Sequence, residues 1–191
     1  MNRRQFLDAI AVSGVALLAH KETHAGVLAA GKDVYLRCLG DPRLKRFLDG
    51  RTGNGTVGLA PKIEPPFTGT KWHVWSGGGI LLECSAAGGA GPRWLDGRTG
   101  DRSIGLAPSN RQPFIGTRWR VVPLDASNPN IVGLQCMARG ANGAFWLDGR
   151  TQDGSVGLAP TTDPPFTGTR WEAHYYPVQI DPGTNLVPAD D

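Results

Sequence analysis

Short alternations of apolar and polar residues run along most of this chain. Val34, Leu36 and Cys38 alternate with polar or neutral neighbours, as do Leu82 with Cys84 and Leu134 with Cys136, which is the period of a half-buried strand. A second strand is predicted over 46–51, 93–98 and 144–150, followed by turn text such as Thr52-Gly53-Asn54-Gly55 and Thr151-Gln152-Asp153-Gly154, whose residues tolerate positive φ. A third strand, 56–60 and its equivalents, is stopped by Pro61, Pro108 or Pro160, and a fourth runs through 71–76, 118–122 and 170–176. Gly and Pro recur too often to leave room for helices.

These elements belong to a repeat. Residues 48–72, 95–119 and 147–171 align without a gap, each 25 residues long, and 14 positions are identical in all three. The shared text is LDGRT, then GLAP, then Pro-Phe, Gly-Thr and a closing Trp, with 47 and 52 residues between successive copies. Self-similarity at such a period is the mark of a repeat architecture. Three copies of four strands give an all-β fold of twelve strands, and the arrangement expected is a closed β-trefoil of six barrel strands and six cap strands in three pseudo-symmetric repeats. A propeller also uses four strands per unit, but three blades fall below its usual four to eight.

Composition changes the picture mainly at the ends. The start, MNRRQFLDAIAVSGVALLAH, is a basic stretch followed by an apolar run too short to span a bilayer, and Arg3-Arg4-Gln5-Phe6-Leu7 resembles the twin-arginine export pattern. Cleavage is expected after Ala25, with Ala30 the poorer alternative, so that 1–25 is an export signal peptide and the product is periplasmic or extracellular in a bacterium. The remaining roughly 166 residues suit one domain, 26–176, with repeats at about 31–77, 78–124 and 125–176. A Pro- and Asp-rich tail, 177–191, follows. Removing the leader lowers the net charge from +3 to about +2, and the interspersed signs lack the basic stripe that nucleic acid requires. A monomer with no membrane contact after leader removal is expected.

On these residues the chain resembles the ricin-B-type β-trefoil family, whose repeats end in Q-x-W. Thr70-Lys71-Trp72, Thr117-Arg118-Trp119 and Thr169-Arg170-Trp171 occupy that place, with Thr for Gln. The resemblance implies that the three Trp are core anchors and that Asp49, Asp96 and Asp148 hold the family's sugar-binding position. It also marks two departures: Ala60, Ala107 and Ala159 stand where the family has its stacking aromatic, and Gly-Thr replaces the Asn-Gln pair before the Trp.

Strand alternation offers a compensating inventory, since Phe47, Asp49 and Arg51 share one face of their strand, as do Trp94, Asp96 and Arg98, and Trp146, Asp148 and Arg150. An aromatic for a sugar ring, a charged acceptor for paired hydroxyls and a guanidinium fork are the parts of a glycan or polysaccharide site. The same Asp and Arg could instead lock the turn by bonding each other or backbone amides. Asp49 with Asn54, Asp96 with Asp101 and Asp148 with Asp153 faintly resemble a calcium loop but lack the further oxygens such a site needs. Cys38, Cys84 and Cys136 hold equivalent places; their odd number precludes complete pairing and suits small buried residues, a three-thiolate metal site being the other reading. Neither His73 nor His174 has a recognisable catalytic partner nearby in sequence, so no catalytic residue, metal or cofactor is assigned. The expectation is a secreted lectin-like carbohydrate-binding module without catalysis; the alternatives are a protein-interaction or protease-inhibitor trefoil, displaying the loops 85–92 and 125–129, and a purely structural repeat.

Overall fold

The computed structural model describes residues 28–86, 91–140 and 143–176. The leader 1–25, the tail 177–191 and residues 87–90 of the 85–92 loop lie outside the described residues. Among the described residues twelve strands form: β1 Asp33–Cys38, β2 Arg46–Arg51, β3 Thr56–Ala60, β4 Trp72–Ser76, β5 Ile80–Cys84, β6 Trp94–Arg98, β7 Ser103–Ala107, β8 Trp119–Pro123, β9 Ile131–Gly140, β10 Gly143–Arg150, β11 Ser155–Ala159 and β12 Trp171–Tyr175. The segments expected from alternation match these to within a residue or two at most ends. One local feature differs: Thr68–Thr70, Ile115–Thr117 and Thr167–Thr169 each form a single 3₁₀ turn, short enough to fit between the proline-rich loop and the closing Trp.

Six strands close on themselves. Antiparallel pairing runs β1 to β4, β4 to β5, β5 to β8, β8 to β9, β9 to β12 and β12 back to β1. This ring leaves no open edge among its members. Its inner positions, including Val34, Leu36, Trp72, Val74, Leu82, Trp119, Leu134 and Trp171, are fully buried, which is what period-2 alternation places on the inner face.

The other six strands make three hairpins, β2–β3, β6–β7 and β10–β11, each in the same register: Leu48 opposite Leu59, Leu95 opposite Leu106, Leu147 opposite Leu158. The hairpins are tied into a triangle by equivalent bonds, Leu59 N–H to the Gly154 carbonyl at 2.8 Å, Leu106 N–H to Gly55 at 2.8 Å and Leu158 N–H to Arg102 at 3.0 Å. Leu48, Leu95 and Leu147 fill its centre with no exposure. Those carbonyls come from a turn residue with positive φ, 71° at Gly55 and 75° at Gly154; in the second repeat Arg102 takes that conformation at 59°. Its guanidinium lies 5.5 Å from the Phe145 ring, a contact that offsets part of the left-handed cost.

Candidate functional site

The LDGRT hairpin of each repeat meets the Pro-Phe-x-Gly-Thr turn of the same repeat, and the Asp sits at that junction. Asp49, Asp96 and Asp148 are 5%, 6% and 6% exposed. Asp49 accepts the Gly69 N–H and Asp96 the Gly116 N–H, while Asp148 Oδ1 is set equally close to Gly168. The second oxygen of Asp49 faces Arg51 Nε at 3.5 Å, and that of Asp96 faces Arg98 at 3.7 Å. Burial pushes all three carboxyls above the usual carboxylate range, against the pull of Arg51, Arg98 and Arg150.

Neighbouring motif residues complete the same lock. The closing Trp donates its indole N–H to the Leu of LDGRT: Trp72 to Leu48 at 3.0 Å, Trp119 to Leu95 at 3.1 Å, Trp171 to Leu147 at 2.9 Å. The Thr that stands in place of Gln bonds back to the Phe carbonyl three residues earlier, at 3.0, 3.0 and 2.8 Å for Thr70, Thr117 and Thr169. Glycine is required twice. A Cβ on Gly97 would lie 2.9 Å from Cys136 Sγ and 3.0 Å from the Trp119 ring, and one on Gly116 would strike the Gly97 carbonyl.

The cysteines join successive repeats. Cys84 Sγ donates to Gly50 at 3.4 Å and Gly69 at 3.6 Å in the repeat before it, Cys136 bonds Gly97 and Gly116, and Cys38 closes the circle onto Gly149 and Gly168. All three are free thiols, and burial pushes Cys38 and Cys84 up to about 11. Among the described residues no group of three His, Cys, Asp or Glu is placed to hold a metal. Asn54, Asp101 and Asp153 bond Thr56, Ser103 and Ser155 two residues on, so these oxygens serve their own turns.

Outside the lock lies a groove. At the third repeat it has a volume of about 620 Å³ and is lined by Arg150, Asp153 and Phe166 together with Asp41 and Arg43 from the first; at the first repeat it is about 340 Å³, with Arg51, Phe67 and Thr68. Arg43 grips Asp41 at 3.1 and 2.9 Å and holds that carboxyl below its usual range, while bonds from Ser155 do the same for Asp153. The larger groove therefore presents ionised acceptors and guanidinium donors around a half-buried phenyl ring.

Of the residues expected to share one site, Asp49 with Arg51 and Asp148 with Arg150 line these grooves, and the aromatics face elsewhere. Phe47 packs edge-on against Tyr35 at 5.7 Å, Trp94 lies 6.4 Å from Trp75, and Trp146 covers Gly133, all on the outer wall of the barrel. Phe67 and Phe166 are the groove's aromatics, with Phe114 at the matching position of the second repeat. Alternation along β2 misses them because they arrive from a different loop; their recurrence in the repeat text was the available signal.

No protein-family model and no curated protein sequence matches the chain. Solved structures do match in fold. The β-trefoil lectin of the Vibrio vulnificus hemolysin/cytolysin, with N-acetyl-D-lactosamine bound, is 16% identical with a TM-score of 0.56 over 80% of this chain and 100% of that one. The Macrolepiota procera ricin B-like lectin in complex with lactose is 16% identical, TM-score 0.54, over 78% and 98%. A GlcNAcα1-4Gal-releasing endo-β-galactosidase from Clostridium perfringens is 14% identical, TM-score 0.58, over 76% of this chain, which spans 33% of the enzyme. With its closed six-strand ring and three-hairpin cap, the chain shares the fold of these β-trefoil lectins.

Proposed function

We propose that this chain is an exported carbohydrate-binding module of ricin-B-like β-trefoil type, acting without catalysis and binding a glycan or polysaccharide as a monomer. The observation that carries this reading is the third-repeat groove, where Asp41, Arg43, Arg150 and Asp153 surround Phe166. A sugar ring has an apolar face for the phenyl and hydroxyls that both donate and accept, so mixed charged donors and acceptors beside an aromatic suit it. Support comes from the fold neighbours, whose bound molecules are lactose and N-acetyl-D-lactosamine. In this reading Arg51, Arg98 and Arg150 contact ligand, and Asp49, Asp96 and Asp148 act from behind them by holding the groove's floor.

Export rests on the Arg3-Arg4-Gln5-Phe6-Leu7 text. Cleavage after Ala25 is further favoured because Leu28 is a fully buried core residue, which a cut after Ala30 would remove. The structural-repeat alternative draws on the intramolecular bonds made by the motif residues.

Isothermal titration and a glycan array with the mature protein, Arg150→Ala and Phe166→Ala separate the readings. Saccharide binding weakened roughly tenfold by either substitution, with little change in Tm, is the expected result. Absence of any saccharide binding by the wild type sinks the carbohydrate reading.

A further inference from the structure

Three faces of the barrel wall share one backbone register and differ in nearly every side chain. On β4, β5 and β6, His73 stands opposite Glu83 and Glu83 opposite Trp94, with Trp75 opposite Leu81 in the next row. The equivalent rows on β12, β1 and β2 are Glu172, Arg37 and Phe47, with His174 opposite Tyr35. On β8, β9 and β10 they are Arg120, Gln135 and Trp146, with Val122 opposite Gly133.

Two of these faces are covered by the chain itself. On the β12–β1–β2 face His174 stacks on Tyr35 at 5.0 Å and 17°, Phe47 and Tyr176 meet the same ring edge-on, and Arg37 pairs with Glu172 at 3.4 Å. On the β8–β9–β10 face Trp146 lies on Gly133, so close that a Cβ there would come within 2.9 Å of the indole.

The β4–β5–β6 face is different. Trp75 is 46% exposed, and its ring stands 6.4 Å from Trp94 at 50°, so that two indoles form an open angle. The Trp75 N–H donates to Glu83 Oε2 at 2.8 Å. His73 packs against the indole at 4.8 Å and 62°, and its own Nδ1 is 2.7 Å from Asp33. An exposed Trp held by three neighbours is ordered before any ligand arrives, which lowers the entropic cost of binding.

We infer that the angle between Trp75 and Trp94, with Glu83 at its side, is a second saccharide platform separate from the grooves, taking an oligosaccharide whose pyranose C–H face lies on Trp75. The ring N–H is already satisfied, so the indole offers its faces and not its edge. Glu83 gives one lone pair to that N–H and keeps the rest of its carboxylate for adjacent hydroxyls, a charged acceptor for two neutral donors. Asp33 is already paired with His73 and with Lys71 at 2.8 Å, so Glu83 is the carboxylate beside the two indoles, and an aromatic surface edged by a charged acceptor fits a sugar ring better than a protein partner, whose interface core is depleted of charge. The inference rests on the carbohydrate reading and adds a location and an orientation to it.

The test is titration of the mature protein with galacto-, cello- and chito-oligosaccharides, followed by calorimetry and by tryptophan fluorescence, in wild type, Trp75→Ala, Glu83→Gln and Phe166→Ala. Trp75→Ala is expected to weaken binding roughly tenfold and remove the fluorescence change, and Glu83→Gln to weaken it roughly threefold, both with unchanged Tm. Phe166→Ala retains the fluorescence-reported component. Binding lost in Phe166→Ala but intact in Trp75→Ala overturns the platform and leaves the carbohydrate reading standing, whereas a wild type that binds none of the sugars removes both. Sedimentation that shows Trp75-dependent self-association, with no effect of sugar, also overturns it, by giving the face to a second copy of the chain.

Discussion

At the junction of cap and barrel the three copies agree in text and in most contacts; on the outer wall of the barrel they agree in backbone and in the aromatic at Phe47, Trp94 and Trp146, and in little else. The junction is where Asp, Gly, Thr, Trp and Cys recur, and each of these side chains or its absence meets a partner inside the molecule: a 3₁₀ amide, a leucine carbonyl, a neighbouring thiol. The wall carries His174 on Tyr35 in one copy, Trp146 on Gly133 in another, and the open Trp75–Trp94 angle in the third. Threefold retention here accompanies contacts inside the fold, since each hairpin meets its own 3₁₀ turn in the same way. Departure from threefold symmetry marks positions released from that duty, and ligand contacts are better sought there and in the grooves, which also differ between copies in volume and in charge.

The comparison breaks most visibly at Gly116. Gly116→Ala places a methyl against the Gly97 carbonyl, where no flexible side chain can yield, and a loss of about 3 kcal/mol or failure to fold is expected in a urea melt. Asp96→Ala comes next, at about 2 kcal/mol, because it leaves the Gly116 N–H without its acceptor. Asp96→Asn keeps that acceptor and should cost distinctly less. Its pH dependence carries a sign. Burial raises the folded Asp96 carboxyl above its unfolded value, so its contribution is most stabilising below the ordinary carboxylate range and is lost as pH rises through the raised value. Wild type should accordingly gain stability relative to Asp96→Asn as pH falls from neutral, and a flat difference between the two melts contradicts the upward push of burial on this carboxyl. The smallest effect concerns Arg102, at φ 59° where the other repeats have glycine. Arg102→Ala keeps the strained φ and loses the Phe145 contact, for a cost of about 0.5 to 1 kcal/mol, while Arg102→Gly relieves the strain and should fall within ~0.5 kcal/mol of wild type by thermal melt.

Much of this was readable from residue order alone. Period-2 alternation, proline stops and the 25-residue repeat delimit twelve strands because burial on one side of a pleated strand must leave that imprint. Trp72, Trp119 and Trp171 as core anchors, and Cys38, Cys84 and Cys136 as small buried residues, follow from the same periodicity and the family resemblance, and all six are buried. What residue order left open was the meaning of the Asp, since a turn lock and a sugar acceptor place the same residue at the same spacing. The Gly69 and Gly116 amides that Asp49 and Asp96 accept come from a loop some 20 residues later in the chain, a contact that residue order does not display. The pairing of aromatics was likewise a tertiary matter. Phe47, Trp94 and Trp146 share a strand face with their Asp, yet strand twist and the neighbouring β1, β5 and β9 turn them to the barrel wall, while Phe67 and Phe166 enter the groove from elsewhere. Local periodicity determines which side of a strand a residue occupies; only the packed ring determines what stands on that side.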